Sequence, residues 1–139
     1  MRLTRHFLLE EFSCQCVGKK GKEYCQGKNW IKPELVEGLQ VLRNIINDER
    51  RINNLKTSVG IIISSGCRCR AHNNDVSEAK ESQHIYGTAA DIFVPGYTPE
   101  QLKNICLRHK LFTGIGIYKG KNILHVDVRN GLYGKVVVW

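Results

Sequence analysis

No apolar run in this chain approaches the length of a membrane-crossing helix, which excludes a transmembrane helix. Its start, Met1-Arg2-Leu3-Thr4-Arg5-His6-Phe7, is basic but runs into Glu10 and Glu11 without the apolar core of a secretory signal peptide. Synthesis in the cytoplasm is therefore expected, unless a leader has been removed. Internal repeats and low-complexity tracts are missing. So are arginine-rich helices and glycine-aromatic RNA-binding motifs, although 21 basic residues against 13 acidic ones give a net charge of +8. The basic residues are spread out and crowd only at Lys19-Lys20-Gly21-Lys22. The charge favours an anionic partner, whether nucleic acid, an anionic membrane surface or a cell-wall polymer. A merely soluble basic surface is the plain alternative, and no specific nucleic-acid partner is expected.

What is present fits one globular domain over residues 1–139, with 42% hydrophobic residues to build a core. Residues 1–31 read as an irregular arm in which Phe7, Leu8, Leu9 and Phe12 anchor to the core and 14–29 form a Gly-, Lys- and Cys-rich loop. Pro33 suits a first helical position. Leu35, Val36, Leu39, Leu42, Ile45 and Ile46 then recur at helical spacing, predicting an amphipathic helix over 33–47. A polar loop over 47–56 leads to a buried strand over 59–64. Residues 71–81 read as a surface loop with room for a short helical turn. A strand over 89–94 is followed by a helix from Pro99 to about Lys110, opened by the capping box Thr98-Pro99-Glu100-Gln101. Strands over 114–118, 123–129 and 135–139 complete the chain, the last two parted by the Asn130-Gly131 turn. This order predicts an α+β fold with two main helices and a small, largely antiparallel sheet.

Chemistry concentrates in Ser82-Gln83-His84-Ile85-Tyr86-Gly87-Thr88-Ala89-Ala90-Asp91, where a polar loop runs into an apolar strand. Histidine nitrogen and carboxylate oxygen are both zinc ligands, and a catalytic zinc usually takes three protein ligands and leaves one position open. The third is sought in Leu124-His125-Val126-Asp127-Val128-Arg129. Strand alternation puts Ile123, His125, Asp127 and Arg129 on one face and Leu124, Val126 and Val128 on the core face. A water-facing sheet surface explains three polar groups in a row. A metal site of His84, Asp91 and His125 explains them more sharply.

Six cysteines fall at Cys14, Cys16, Cys25, Cys67, Cys69 and Cys106. The even count suits disulfides. Free, partly buried thiols are an equal alternative. A structural zinc site ranks below both, because the spacing is not that of a standard zinc finger.

The pattern Ser82-x-His84-x-x-Gly87-x-Ala89-x-Asp91 with a later His125-Val126-Asp127 resembles the zinc D-alanyl-D-alanine carboxypeptidase family. That peptidase group includes bacteriophage L-alanyl-D-glutamate endopeptidases and shares its fold with the hedgehog signalling domain. The resemblance covers most of the chain. Phe7 to Phe12 is similar to the family's aromatic arm. Ser65-Gly66-Cys67-Arg68, followed by Asn73, resembles its Ser-Gly-Tyr-Arg…Asn motif with cysteine for tyrosine. Gly114-Ile115-Gly116-Ile117-Tyr118 precedes His125 as in one subgroup.

The resemblance implies a hedgehog-like zinc domain with His84, Asp91 and His125 on the metal. Zinc would polarise a scissile carbonyl and lower the pKa of water. Arg68 would bind substrate and stabilise the developing oxyanion. Ser82 and Gln83 would orient His84 or touch substrate, against a reading of both as loop hydrogen-bonders. Where many members carry an acid three residues before the last zinc histidine, this chain has Asn122. Asp127 is the substitute base, with a partner of His125 or Arg129 as its other reading. Asp75, Glu78 and Glu81 are further candidates. The expected function is hydrolysis of the peptide stems of peptidoglycan at the cell wall, by a phage lytic or virion-associated enzyme or a bacterial one. The alternatives are a non-catalytic zinc-containing wall-binding module and, further behind, a nucleic-acid-binding domain stapled by cysteine-bound zinc.

Overall fold

The computed structural model describes residues 1–131 and 134–139. The arm holds one 3-10 turn, Leu9–Phe12. Phe7 and Phe12 are buried in the main core and fasten it there. Helix α1 (Pro33–Ile52) has proline at its first turn and buries Leu35, Val36, Leu39, Leu42 and Ile46. It ends at Ile52 rather than 47, and the apolar stripe gives no sign of the extra length because it stops at Ile46. Exposed helix formers carry α1 onward, with an Asp48–Arg51 ion pair one turn apart. The buried Asn47 amide ties the helix to the segment that enters the sheet, donating to Val59 O (3.0 Å) and accepting from Val59 N–H (2.8 Å). With Val59 held in this way, strand β1 spans Ile62–Ser65 rather than 59–64.

Helix α2 (Arg70–Val76) occupies the expected loop. Its sequence has no apolar stripe. What fixes it is Asn73, which is fully buried, accepts from Arg68 and donates to Ala79 O (2.7 Å). A 3-10 turn over Gln83–Tyr86 leads into strand β2 (Ala89–Phe93). Helix α3 (Pro99–Arg108) starts at the expected capping box, Thr98 with Gln101. Strands β3 (Gly114–Ile117), β4 (Leu124–Asp127) and β5 (Val137–Val138) complete the set. None of the six cysteines is in a disulfide. Among the described residues no helix is long and apolar enough to cross a membrane.

The fold is therefore α+β, with three α-helices among the described residues against a five-stranded sheet in the order β1-β2-β4-β3-β5. All pairings are antiparallel except β3 with β5. Directly opposed residues share a face. Ile92 opposite Leu124 and Ala90 opposite Val126 join Ile115, Leu102, Ile105 and the α1 stripe in one core. Asp91 opposite His125, and His125 opposite Gly116, lie on the other face. Each fully buried Leu, Ile or Val is worth about 1.5–3 kcal/mol. A one-residue slip of β4 would exchange Leu124 and Val126 for His125 and Asp127, so the core itself sets which face the polar side chains take.

Candidate metal centre

Four elements bring the site together. The 3-10 turn carries His84, with Ser82 capping it by accepting from the His84 N–H. Strand β2 carries Asp91, strand β4 carries His125, and the turn after β1 carries Arg68. His84, Asp91 and His125 are 1%, 6% and 3% exposed, which removes the reading of a water-facing sheet surface.

Each histidine has one nitrogen committed and one left over. His84 Nδ1 lies 2.7 Å from Gly66 O, an acceptor only, so Nδ1 carries the proton and Nε2 a lone pair. Nε2 lies 3.2 Å from Asp91 Oδ1 but is misaligned for a hydrogen bond, and it is buried with no hydrogen-bond partner. His125 Nε2–H donates to Asp127 Oδ2 at 2.7 Å. That leaves its Nδ1 facing Asp91 Oδ1 at 3.1 Å and the Tyr118 hydroxyl at 3.2 Å. The three leftover donor atoms all lie within 4.8 Å of one another. Donors each about 2.1 Å from one zinc sit about 3.4 Å apart in a tetrahedral shell. An N, O, N donor set at this spacing, with an orphaned buried lone pair, fits a zinc ion.

The electrostatics keep the two carboxylates ionised and favour a proton on His125. Burial pushes the Asp91 carboxyl up, but His125 and His84 beside it outweigh burial and keep it well below the usual carboxylate range. Burial likewise opposes charge on Asp127, but bonds from His125 and Arg129 outweigh it and hold its pKa down at about 2. Burial disfavours imidazolium at His125, yet the Asp127 and Asp91 carboxylates raise its pKa above the ordinary value. A metal at Nδ1 therefore competes with a proton there.

Arg68 is buried in the site. Its Nη2 bonds Asp91 Oδ2 (3.1 Å), Nη1 bonds Asn73 Oδ1 (3.2 Å) and Nε bonds Ser65 Oγ (3.2 Å). Of the five N–H groups of a guanidinium, two remain for another ligand. Asp127 has its carboxylate enclosed, with no exposed side-chain surface. It accepts from His125, from the Arg129 backbone N–H (3.0 Å) and from the Arg129 guanidinium (2.7–3.1 Å). Gln83 accepts from the Thr88 hydroxyl at 2.9 Å. Asn122 is exposed in a bend before β4. Asp75 is engaged by Lys19 and Tyr24, Glu81 by Arg70 and Tyr86, and Glu78 is exposed.

Two site neighbours escape sequence reasoning. The Tyr118 hydroxyl lies 3.2 Å from His125 Nδ1 and 3.5 Å from Asp91 Oδ1, and burial pushes its pKa up strongly. Its signal was the spacing Gly114, Gly116, Tyr118, alternate positions that share the His125 face once β3 pairs with β4. The Trp139 ring rests 5.1 Å from the His125 ring and under the Arg129 guanidinium at 4.8 Å. It gives no such signal, because only the parallel β3–β5 pairing brings it there.

The two glycines make the space. A Cβ on Gly114 would collide with the Asp127 carboxylate, and one on Gly116 with the Trp139 indole. Asp127 is locked by its bonds, whereas Trp139 is 43% exposed and can swing aside. Gly114→Ala is expected to cost about 1–3 kcal/mol and Gly116→Ala under about 1 kcal/mol. Urea unfolding of the two variants checks this, and equal costs would contradict the packing argument.

A protein-family model described as Peptidase M15 matches residues 5–127, a span holding all three donor residues together with Arg68, Tyr118 and Asp127. No curated protein matches the chain.

Proposed function

The chain belongs to the peptidase M15 family and is a zinc-dependent peptidase, and from that premise we propose that it hydrolyses peptide-stem bonds of bacterial peptidoglycan, at the D-Ala–D-Ala or L-Ala–D-Glu position. The observation that carries the reading is the buried trio His84, Asp91 and His125, each with one donor atom turned to a common point. The net charge of +8 suits an anionic wall, and the place of action is then the cell wall.

Zinc held by the trio supplies Lewis acidity, polarising a scissile carbonyl and bringing the pKa of water toward neutrality. The chain's own residues do the rest. Gly66 O fixes the His84 tautomer, and Arg68 occupies Asp91 Oδ2 so that Oδ1 faces the histidines. The Tyr118 hydroxyl lies beside His125 Nδ1, and Arg68, bonded to Asp91 Oδ2, keeps two N–H groups uncommitted; these are the donors available to a substrate carbonyl gaining negative charge. Ser82 and Gln83 hold the turn that carries His84. Asp127 is enclosed and fully bonded. We assign it to positioning His125, with Nε2–H held and Nδ1 free, rather than to taking a proton from water.

The test is release of fragments from purified sacculi by the zinc-loaded protein. Free D-alanine marks one bond and a new D-glutamate amino terminus the other, while sacculi left intact would overturn the reading. Asp127→Asn separates the two roles of that residue. Loss of an orienting carboxylate lowers zinc affinity by about 10–100-fold and leaves kcat near the wild-type value once zinc saturates. Loss of a general base lowers kcat by about 10²–10⁴-fold even at saturating zinc. We expect the first result.

A further inference from the structure

Four cysteines have no part in the peptidase site. Cys14, Cys16 and Cys25 lie in the arm and Cys69 lies just past β1, yet their sulfur atoms are all within 4.8 Å of one another. Cys14 to Cys16 and Cys16 to Cys25 are both 3.5 Å apart, Cys14 to Cys69 is 3.8 Å and Cys69 to Cys16 is 3.9 Å. A disulfide would need about 2.05 Å. Four thiolates each about 2.3 Å from one zinc sit about 3.8 Å apart along the edges of a tetrahedron. We propose that Cys14, Cys16, Cys25 and Cys69 bind a second, structural zinc, separate from the His84, Asp91 and His125 site.

Three further observations support it. The set is four sulfurs and not five. Cys67 is buried beside them but is engaged otherwise, its sulfur taking the Trp30 N–H at 3.4 Å and lying 3.7 Å from Asn29 Oδ1. The Cys69 backbone N–H points at Cys14 Sγ at 3.3 Å, a donor placed to stabilise thiolate charge. Finally, the loop cannot order itself by burial. Val17 is 72% exposed, and Gly18, Gly21, Gln26 and Gly27 all take positive φ. A segment with so little apolar surface to bury needs a staple. A closed, all-thiolate set is the kind that holds zinc structurally, each thiol giving up its proton on binding.

The clasp supports the peptidase site from two sides. Cys69 adjoins Arg68 and immediately precedes α2, which carries the Asn73 that grips Arg68. The arm beyond Cys25 pins the turn that carries His84, through Trp30 Nε1–H to Ile85 O (2.7 Å) and Lys32 N–H to Gly87 O (2.8 Å).

Metal analysis tests the proposal without reference to activity. Purified under reducing conditions, the native protein should hold about two zinc equivalents and His84→Ala/His125→Ala about one. Exchange of that variant into cobalt should give an intense thiolate-to-cobalt charge-transfer band. Adding Cys16→Ser and Cys69→Ser should abolish both the retained zinc and the band. Should that variant fail to fold, Cys25→His keeps four ligands, and is expected to retain metal with a shifted cobalt spectrum. A folded histidine variant without metal, cobalt uptake without the band, or a native protein with these thiols oxidised to disulfides would overturn the site. Failure of the peptidase reading looks different, with cysteine-bound metal present and zinc content unchanged by the histidine substitutions.

Discussion

His125→Ala will lose the zinc of the peptidase site and lower kcat/KM on the proposed peptidoglycan substrate by at least about a thousandfold, because a metal contributes several kcal/mol of transition-state stabilisation and each 1.36 kcal/mol is a factor of ten. The fold should survive. The ring is buried between Asp91, Asp127 and Trp139, so truncation leaves a cavity. Asp127 nevertheless keeps its bonds from the Arg129 backbone and guanidinium, so no carboxylate is stranded. A destabilisation of about 2–4 kcal/mol is expected, as for other large-to-small changes in a packed site. Zinc content, circular dichroism and muropeptide release on one preparation decide it. His84→Ala should behave alike, since it removes the other imidazole and leaves Gly66 O without its donor. Zinc retained at the wild-type level with activity within tenfold would remove His125 from the metal.

The alternation of β4 was enough to foresee that Leu124 and Val126 face the core while His125 and Asp127 face away. Period-2 geometry is local and needs no partner strand. The starts of α1 and α3 were equally legible, because Pro33 and the Thr98–Gln101 capping box are chemical signals at fixed positions. Ends were not. The last turns of α1 carry no apolar stripe, and α2 is held through the hydrogen bonds of the buried Asn73, with only His72 buried beside it. Register-dependent facts lay further out of reach. That Asp127 grips His125 Nε2, that Arg68 is committed to Asp91, and that Trp139 packs at a tilt against His125 all require knowing which residues oppose one another across the sheet. The cysteines show the same limit. Spacing along the chain gave no zinc-finger signature, because the fourth sulfur comes from beyond α1 and β1.

Arg68→Ala should be the most damaging change to stability. The Arg68 and Asp91 side chains are 10% and 8% exposed, so the pair is largely out of water. Removing one partner of a buried pair costs about 3–5 kcal/mol, since the remaining charge is left uncompensated. Asn73 Oδ1 and Ser65 Oγ lose a donor at the same time. At about 3–5 °C per kcal/mol for a chain of this size, the melting temperature of the zinc-free variant should fall by more than about 10 °C. Zinc supplies positive charge beside Asp91, so adding it should narrow the gap between variant and native protein. Arg68→Lys should fall between them, because a point charge cannot serve Asp91, Asn73 and Ser65 at once as the planar fork does. Activity separates support of Asp91 from contact with substrate. If the two free N–H groups of Arg68 stabilise the charge developing on the carbonyl, kcat/KM remains about 10²–10³-fold down even when zinc saturates the variant. A zinc-saturated Arg68→Ala protein with native kcat/KM would confine Arg68 to holding Asp91, and would leave the Tyr118 hydroxyl as the donor facing the substrate.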